Sequence, residues 1–126
     1  MSTGHTARNY LLSNENQVVA ASQTEQVVSE EFVLYAEDAR SLVVDIHTTA
    51  VTGTIYFKLQ DTFDKSQWFD KKTTTTITDN VATIKLDTNI AGDQTHLPLR
   101  TRGRIVVTTG AGEGVTVTKI LKSERR

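Results

Sequence analysis

The sequence predicts an all-β domain, a single antiparallel β-sandwich or jelly-roll-like barrel of about seven strands, preceded by an N-terminal arm. Three observations predict it. Threonine is the commonest residue and valine is abundant, while there is one proline and the only methionine is the first residue. β-Branched side chains suit a pleated surface and lose rotamer freedom in a helix. Apolar and polar residues alternate in several short runs, and turn signals separate those runs about every 8–12 residues.

The elements follow in order. Residues 1–24 form the expected arm or extra hairpin, and residues 25–126 the sandwich. The stretch "MSTGHTARNYLLSNENQVVAASQTEQ" is polar, with two apolar beads at Tyr10–Leu12 and Val18–Val19. A turn at Ser13–Asn16 would fold it into a hairpin, and fully extended it would reach roughly 80 Å. Its apolar content is too small for a core of its own, so its expected contribution is to attachment rather than to the sandwich.

A first strand is expected over Gln26–Ala36, with Glu37–Arg40 as a connection. "SLVVDIHTT" then puts Leu42, Val44 and Ile46 on one face and Val43, Asp45 and His47 on the other. "TIYFKLQ" repeats the pattern with Ile55, Phe57 and Leu59 inward, and the two strands are expected to pair as a hairpin. "DTFDKSQWF" is a polar loop that returns to Trp68 and Phe69. A second hairpin is read from "KKTTTTITDNVATIKL", with Asp79-Asn80 as its turn. "DTNIAGDQTHLP" is a longer connection with Pro98 near the next strand. "RIVVTTGAGEGVTVTKIL" gives the clearest hairpin pattern, two Val/Thr/Ile strands around a glycine-rich tip that requires positive φ.

Composition restricts the function. With 126 residues and 37% hydrophobic content the chain suits one domain with its own core. The absence of cysteine removes disulfides and thiolate metal sites. The net charge of -1 argues against a nucleic-acid-binding surface. No apolar run suggests a signal peptide or a membrane span.

Local chemistry is sparse. His5, His47 and His96 show no metal-ligand spacing. Gly110, Gly112 and Gly114 precede a strand rather than the Lys-Ser/Thr and helix of a phosphate loop. Asp61, Asp64 and Asp70 are close in sequence but have lysine among them and lack EF-hand spacing. No Ser-His-Asp or paired-carboxylate signature is present. No cofactor or metal is therefore expected. Arg100, Arg102 and Arg104 recur at period two and form a basic stripe on a strand. Such a stripe is either a solvated face that discourages edge pairing or a docking surface for carboxylates.

The segments "SLVVDIHTTAVTGTIYFKLQDTFDKSQWF" and "LPLRTRGRIVVTTGAGEGVTVTKIL" together resemble the small β-sandwich structural proteins of tailed-bacteriophage virions, over about residues 30–121. The loop "DTFDKSQW" departs from that pattern in lacking a glycine. The resemblance implies a non-enzymatic virion protein, assembled in the host cytoplasm, that decorates or cements the outer surface of a capsid. Its partner would be the major capsid protein or another virion protein, with many copies in a symmetric assembly. A neck or tail ring component is the alternative, and a carbohydrate-binding module using Trp68 is another. The resemblance also implies that Trp68 caps the core or its edge. The expected contact residues are Tyr10, Leu11 and Leu12 of the arm, the stripe Arg100, Arg102 and Arg104, and the terminal Arg125 and Arg126.

Overall fold

The computed structural model describes residues 8–13, 15–33, 41–74, 80–87 and 102–125. Among them are nine strands and no helix: β1 (Arg8–Ser13), β2 (Gln17–Val19), β3 (Gln26–Val27), β4 (Ser41–Thr52), β5 (Tyr56–Thr62), β6 (Phe69–Thr73), β7 (Val81–Asp87), β8 (Arg102–Thr108) and β9 (Gly114–Arg125). They form two antiparallel sheets packed face to face as a β-sandwich. The first runs β1-β9-β4-β7, with β2 also on β9, and the second runs β3-β8-β5-β6.

The core lies where the alternating residues place it. Leu42, Val44 and Ile46 of β4 and Phe57 and Leu59 of β5 are almost fully buried, together with Ile84, Leu86, Ile105, Val107, Val117 and Ile120. Burying each such side chain contributes about 1.5–3 kcal/mol, which is the main force holding the two sheets together.

The strand pairing differs from expectation at three places. β4 and β5, β6 and β7, and β8 and β9 are not hairpins: in each couple the two strands belong to different sheets. The chain arches across the core instead. The end of β4 turns at Ala50, with φ 53°, inside the register shift between Thr49 and Thr52, and the connection to β5 then begins at Gly53 with φ 78°. At the β8–β9 arch, Gly112 takes φ 75°. Asp79, the expected turn residue between β6 and β7, lies outside the described residues. Of the described neighbours in sequence on either side of a connection from β4 onward, only β5 and β6 hydrogen-bond to each other.

The expected strand over Gln26–Ala36 is also shorter. β3 covers two residues, and the chain then touches β8 again through an isolated bridge from Phe32 to Gly103. Residues 34–36 lie outside the described residues.

The described part of segment 1–24 lies on the sandwich. β1 pairs with Glu124 to Ile120 and β2 with Val117 to Val115, both antiparallel to β9. They form one interrupted edge strand rather than a hairpin. Leu12 and Val19 project into the core, with 6% and 1% of their surface exposed.

Candidate functional site

The predicted contact residues separate on folding. Arg100 and Arg126 lie outside the described residues, and Tyr10 and Arg125 are described in their strands by backbone alone. Leu12 packs in the core with 6% of its surface exposed. Its neighbour Leu11 points the other way and is 51% exposed.

Arg102 and Arg104 do share one face of β8, as their spacing predicts. They stand opposite Thr62 and Gln60 of β5, on the outer face of the second sheet. They are not a bare stripe, because that face carries a connected polar network. Arg104 donates through Nε to Gln60 Oε1 at 3.0 Å, and Gln60 Nε2 donates to Asp70 at 2.9 Å and Glu25 at 3.1 Å. Lys58 bridges Asp70 at 3.1 Å and Glu25 at 3.4 Å. The hydrogen bond from Gln60, with those from Lys58, lowers the Asp70 pKa. The hydrogen bond to Asp70 raises that of Lys58. Burial lowers that of Arg104.

Trp68 belongs to this face. It is half-buried, and the Arg104 guanidinium carbon lies 4.0 Å from its ring centroid. It therefore sits at the edge of the fold on the outer side of the sheet, outside the interior cluster. One ring face is taken by Arg104, and Gln60 beside it is only 2% exposed. The loop before Trp68 is set by Asp64, whose carboxylate accepts the Ser66 and Gln67 backbone N–H groups at 3.0 Å each. Those bonds hold its pKa at about 2. Asp61 is buried beside Lys71 at 3.4 Å, so Asp61, Asp64 and Asp70 have separate surroundings. Among the described residues no group of three His, Cys, Asp or Glu side chains is placed to hold a metal ion.

A second site, not expected from the sequence, lies at the sandwich edge where β1 faces segment 30–33. A cavity of about 180 Å³ is lined there by Leu11, Leu12, Phe32 and Val33, by Glu30 and Glu31, and by Arg102 and Lys122. Three predicted contact residues, Leu11, Leu12 and Arg102, thus converge on it. Lys122 is fully buried. It donates to the Val33 carbonyl and to Glu124 at 2.6 Å each, and stands 5.2 Å from the Phe32 ring centroid. Glu124 is 1% exposed.

The reason these charges are inside is a slip in β9. Val115 and Val117 face the core, but the register against β4 shifts at Thr118, between the partners of His47 and Thr48. Beyond it Ile120, Lys122 and Glu124 take the inward positions. A one-residue slip turns every later side chain to the other face. The sequence carries a signal for this: the alternation of "VTVTKILKSE" breaks at the slip, where polar Thr118 and Lys119 are followed by apolar Ile120 and Leu121.

Comparison of the chain with protein-family models, with curated proteins and with solved structures gave no match. No helix among the described residues is long and apolar enough to cross a membrane.

Proposed function

We propose that this chain is a non-enzymatic virion structural protein that decorates or cements the outer surface of a phage capsid, with the edge strand β1–β2 as its attachment surface. The sequence resemblance supports the class of protein. The observation that carries the surface is the division of labour within that strand. Leu12 and Val19 fill the core, while the neighbouring Leu11 and Val18 face outward with 51% and 76% of their surface exposed. Apolar side chains at that exposure gain from being covered by a partner, at about 25 cal/mol per Å² of apolar area buried.

The test uses purified particles. The protein should be present in many copies per particle and should rebind particles stripped of it. The Leu11→Ser/Val18→Ser variant should fold like the parent and lose occupancy. Absence from particles would overturn the reading, and a copy number matching a single ring would move it to the neck or tail.

A further inference from the structure

We infer that the groove between the two edge strands on the β1–β3 side of the sandwich receives an extended polypeptide segment that carries a basic side chain. Two cavities make up the groove. The larger, about 320 Å³, is lined by Leu12, Ser13, Glu15 and Gln17 on one wall and by Val27–Glu30 on the other. The smaller, about 180 Å³, continues it past Leu11 and Leu12 on one wall and residues 30–33 on the other. Leu12 and Glu30 line both, so the two are contiguous. Gln17 spans one end, where its Nε2 donates to the Val28 carbonyl at 2.7 Å. One wall therefore runs from residue 17 back to 11 while the other runs from 28 on to 33. That length matches about five residues of extended chain.

Backbone, side chains and charge select the same occupant. β1 and β3 are the outermost strands of their sheets, β1 bonded only to β9 and β3 only to β8. Their outward backbone edges have no strand partner among the described residues, and no proline interrupts either wall. An edge in that state is a template for an added strand. Leu12, Val28 and Phe32 are buried at the base of the groove, while Leu11 and Val27 stand at its rim with 51% and 43% of their surface exposed. Apolar side chains of an added strand would cover that rim. Glu15 and Glu30, on opposite walls, are exposed and have no ion-pair partner among the described residues. Glu31 is paired with Lys65 at 3.5 Å, and Lys122 is held by Glu124 and the Val33 carbonyl. Arg102 lines only the smaller cavity. The uncompensated charge of the larger one is thus negative, which favours a Lys or Arg on the added segment.

The groove shares Leu11 with the proposed attachment surface, so the test uses the isolated full chain and does not depend on capsid attachment. Isotope-labelled protein is titrated with the peptide acetyl-Thr-Val-Lys-Val-Thr-amide and followed by NMR at the Leu12, Glu30 and Val33 amides. The peptide should shift them saturably. Its counterpart with Glu in place of Lys should bind about fivefold more weakly. A version N-methylated throughout keeps the side chains and loses the backbone donors, and it should bind at least about tenfold more weakly. Glu15→Gln/Glu30→Gln, shown to be folded by circular dichroism, should bind the Lys and Glu peptides equally. No saturable shift would make the two glutamates guards against edge pairing and overturn the proposal. Equal affinity for the Glu peptide in the parent, undiminished binding of the N-methylated peptide, or a preference for Lys retained in the folded variant would overturn it too. Shifts at the same amides on raising the protein concentration alone would assign the groove to a second copy instead. A parent chain that rebinds stripped particles but takes up no peptide loses this proposal and keeps the attachment reading. One that takes up the peptide and is absent from particles does the reverse.

Discussion

At the residue scale, burial decides which side chains matter and by how much. Trp68 combines a half-buried ring with the stacked Arg104, so its loss removes partial burial and one cation–π contact. Trp68→Ala should cost about 1–2 kcal/mol. Phe57→Ala, at a fully buried position, should cost about 3–5 kcal/mol. Urea midpoints of the two variants check the difference, and a Trp68 cost equal to that of Phe57 would place the ring in the core. The pair Lys122–Glu124 gives a sharper test. Removing one partner leaves a buried charge uncompensated, so Lys122→Met should destabilise by about 3–5 kcal/mol. The double variant Lys122→Met/Glu124→Leu should recover much of that loss, because matched apolar residues avoid the desolvation of both charges. A double variant as unstable as the sum of the singles would contradict the pairing.

At the element scale, the strands from β4 onward were legible, the expected strand over Gln26–Ala36 was read too long, and the partners were not legible. Alternation in "SLVVDIHTT" and "TIYFKLQ" identified the inward residues of β4 and β5 correctly, because period two depends only on strand geometry. A hairpin and an arch both bring two apolar faces to one core, so alternation alone does not distinguish them. The β9 slip is marked by the step from Thr118 and Lys119 to Ile120 and Leu121, but that step does not say which of Ile120 and Leu121 turns inward, and with it the inward placement of Lys122 and Glu124 stays unread. The arches depend on particular contacts at their tips. Glu113 joins two of them: its carboxylate accepts the Gly110 N–H and, at 3.0 and 3.2 Å, the Thr54 N–H and hydroxyl. The bonds from Gly110 and Thr54 lower the Glu113 pKa. A lowered folded-state pKa means stability that is present above the ordinary glutamate range and lost as pH falls through the folded value. Glu113→Gln should therefore be less stable than the parent at neutral pH and approach it between about pH 5 and pH 3. Parallel stability curves across that window would show that the clamp carries no such coupling.

At the scale of the whole molecule, the question is whether residues 1–24 belong to the fold or only to attachment. Sequence alone favoured attachment, since two apolar beads make no core. That reasoning treats the segment as isolated, whereas its beads are shared with the sandwich. Leu12 and Val19 are buried with 6% and 1% exposure in the common core. Further bonds lie where the segment passes to the second sheet. Thr109 Oγ1 donates to the Ala20 carbonyl at 2.7 Å and accepts the Gln23 N–H at 3.0 Å, and the Ser22 N–H donates to the Gly110 carbonyl at 3.0 Å. Deleting residues 1–24 should thus expose the β9 edge, remove two core side chains worth about 1.5–3 kcal/mol each, and lower the melting temperature well beyond what a passive arm would. Leu11→Ser/Val18→Ser keeps the strand and its core residues, so it should melt within a few degrees of the parent. Differential scanning calorimetry on the two proteins separates the roles of the segment. A truncated chain that melts like the full chain would make residues 1–24 dispensable to the sandwich, and would leave the outward residues as the segment's whole purpose.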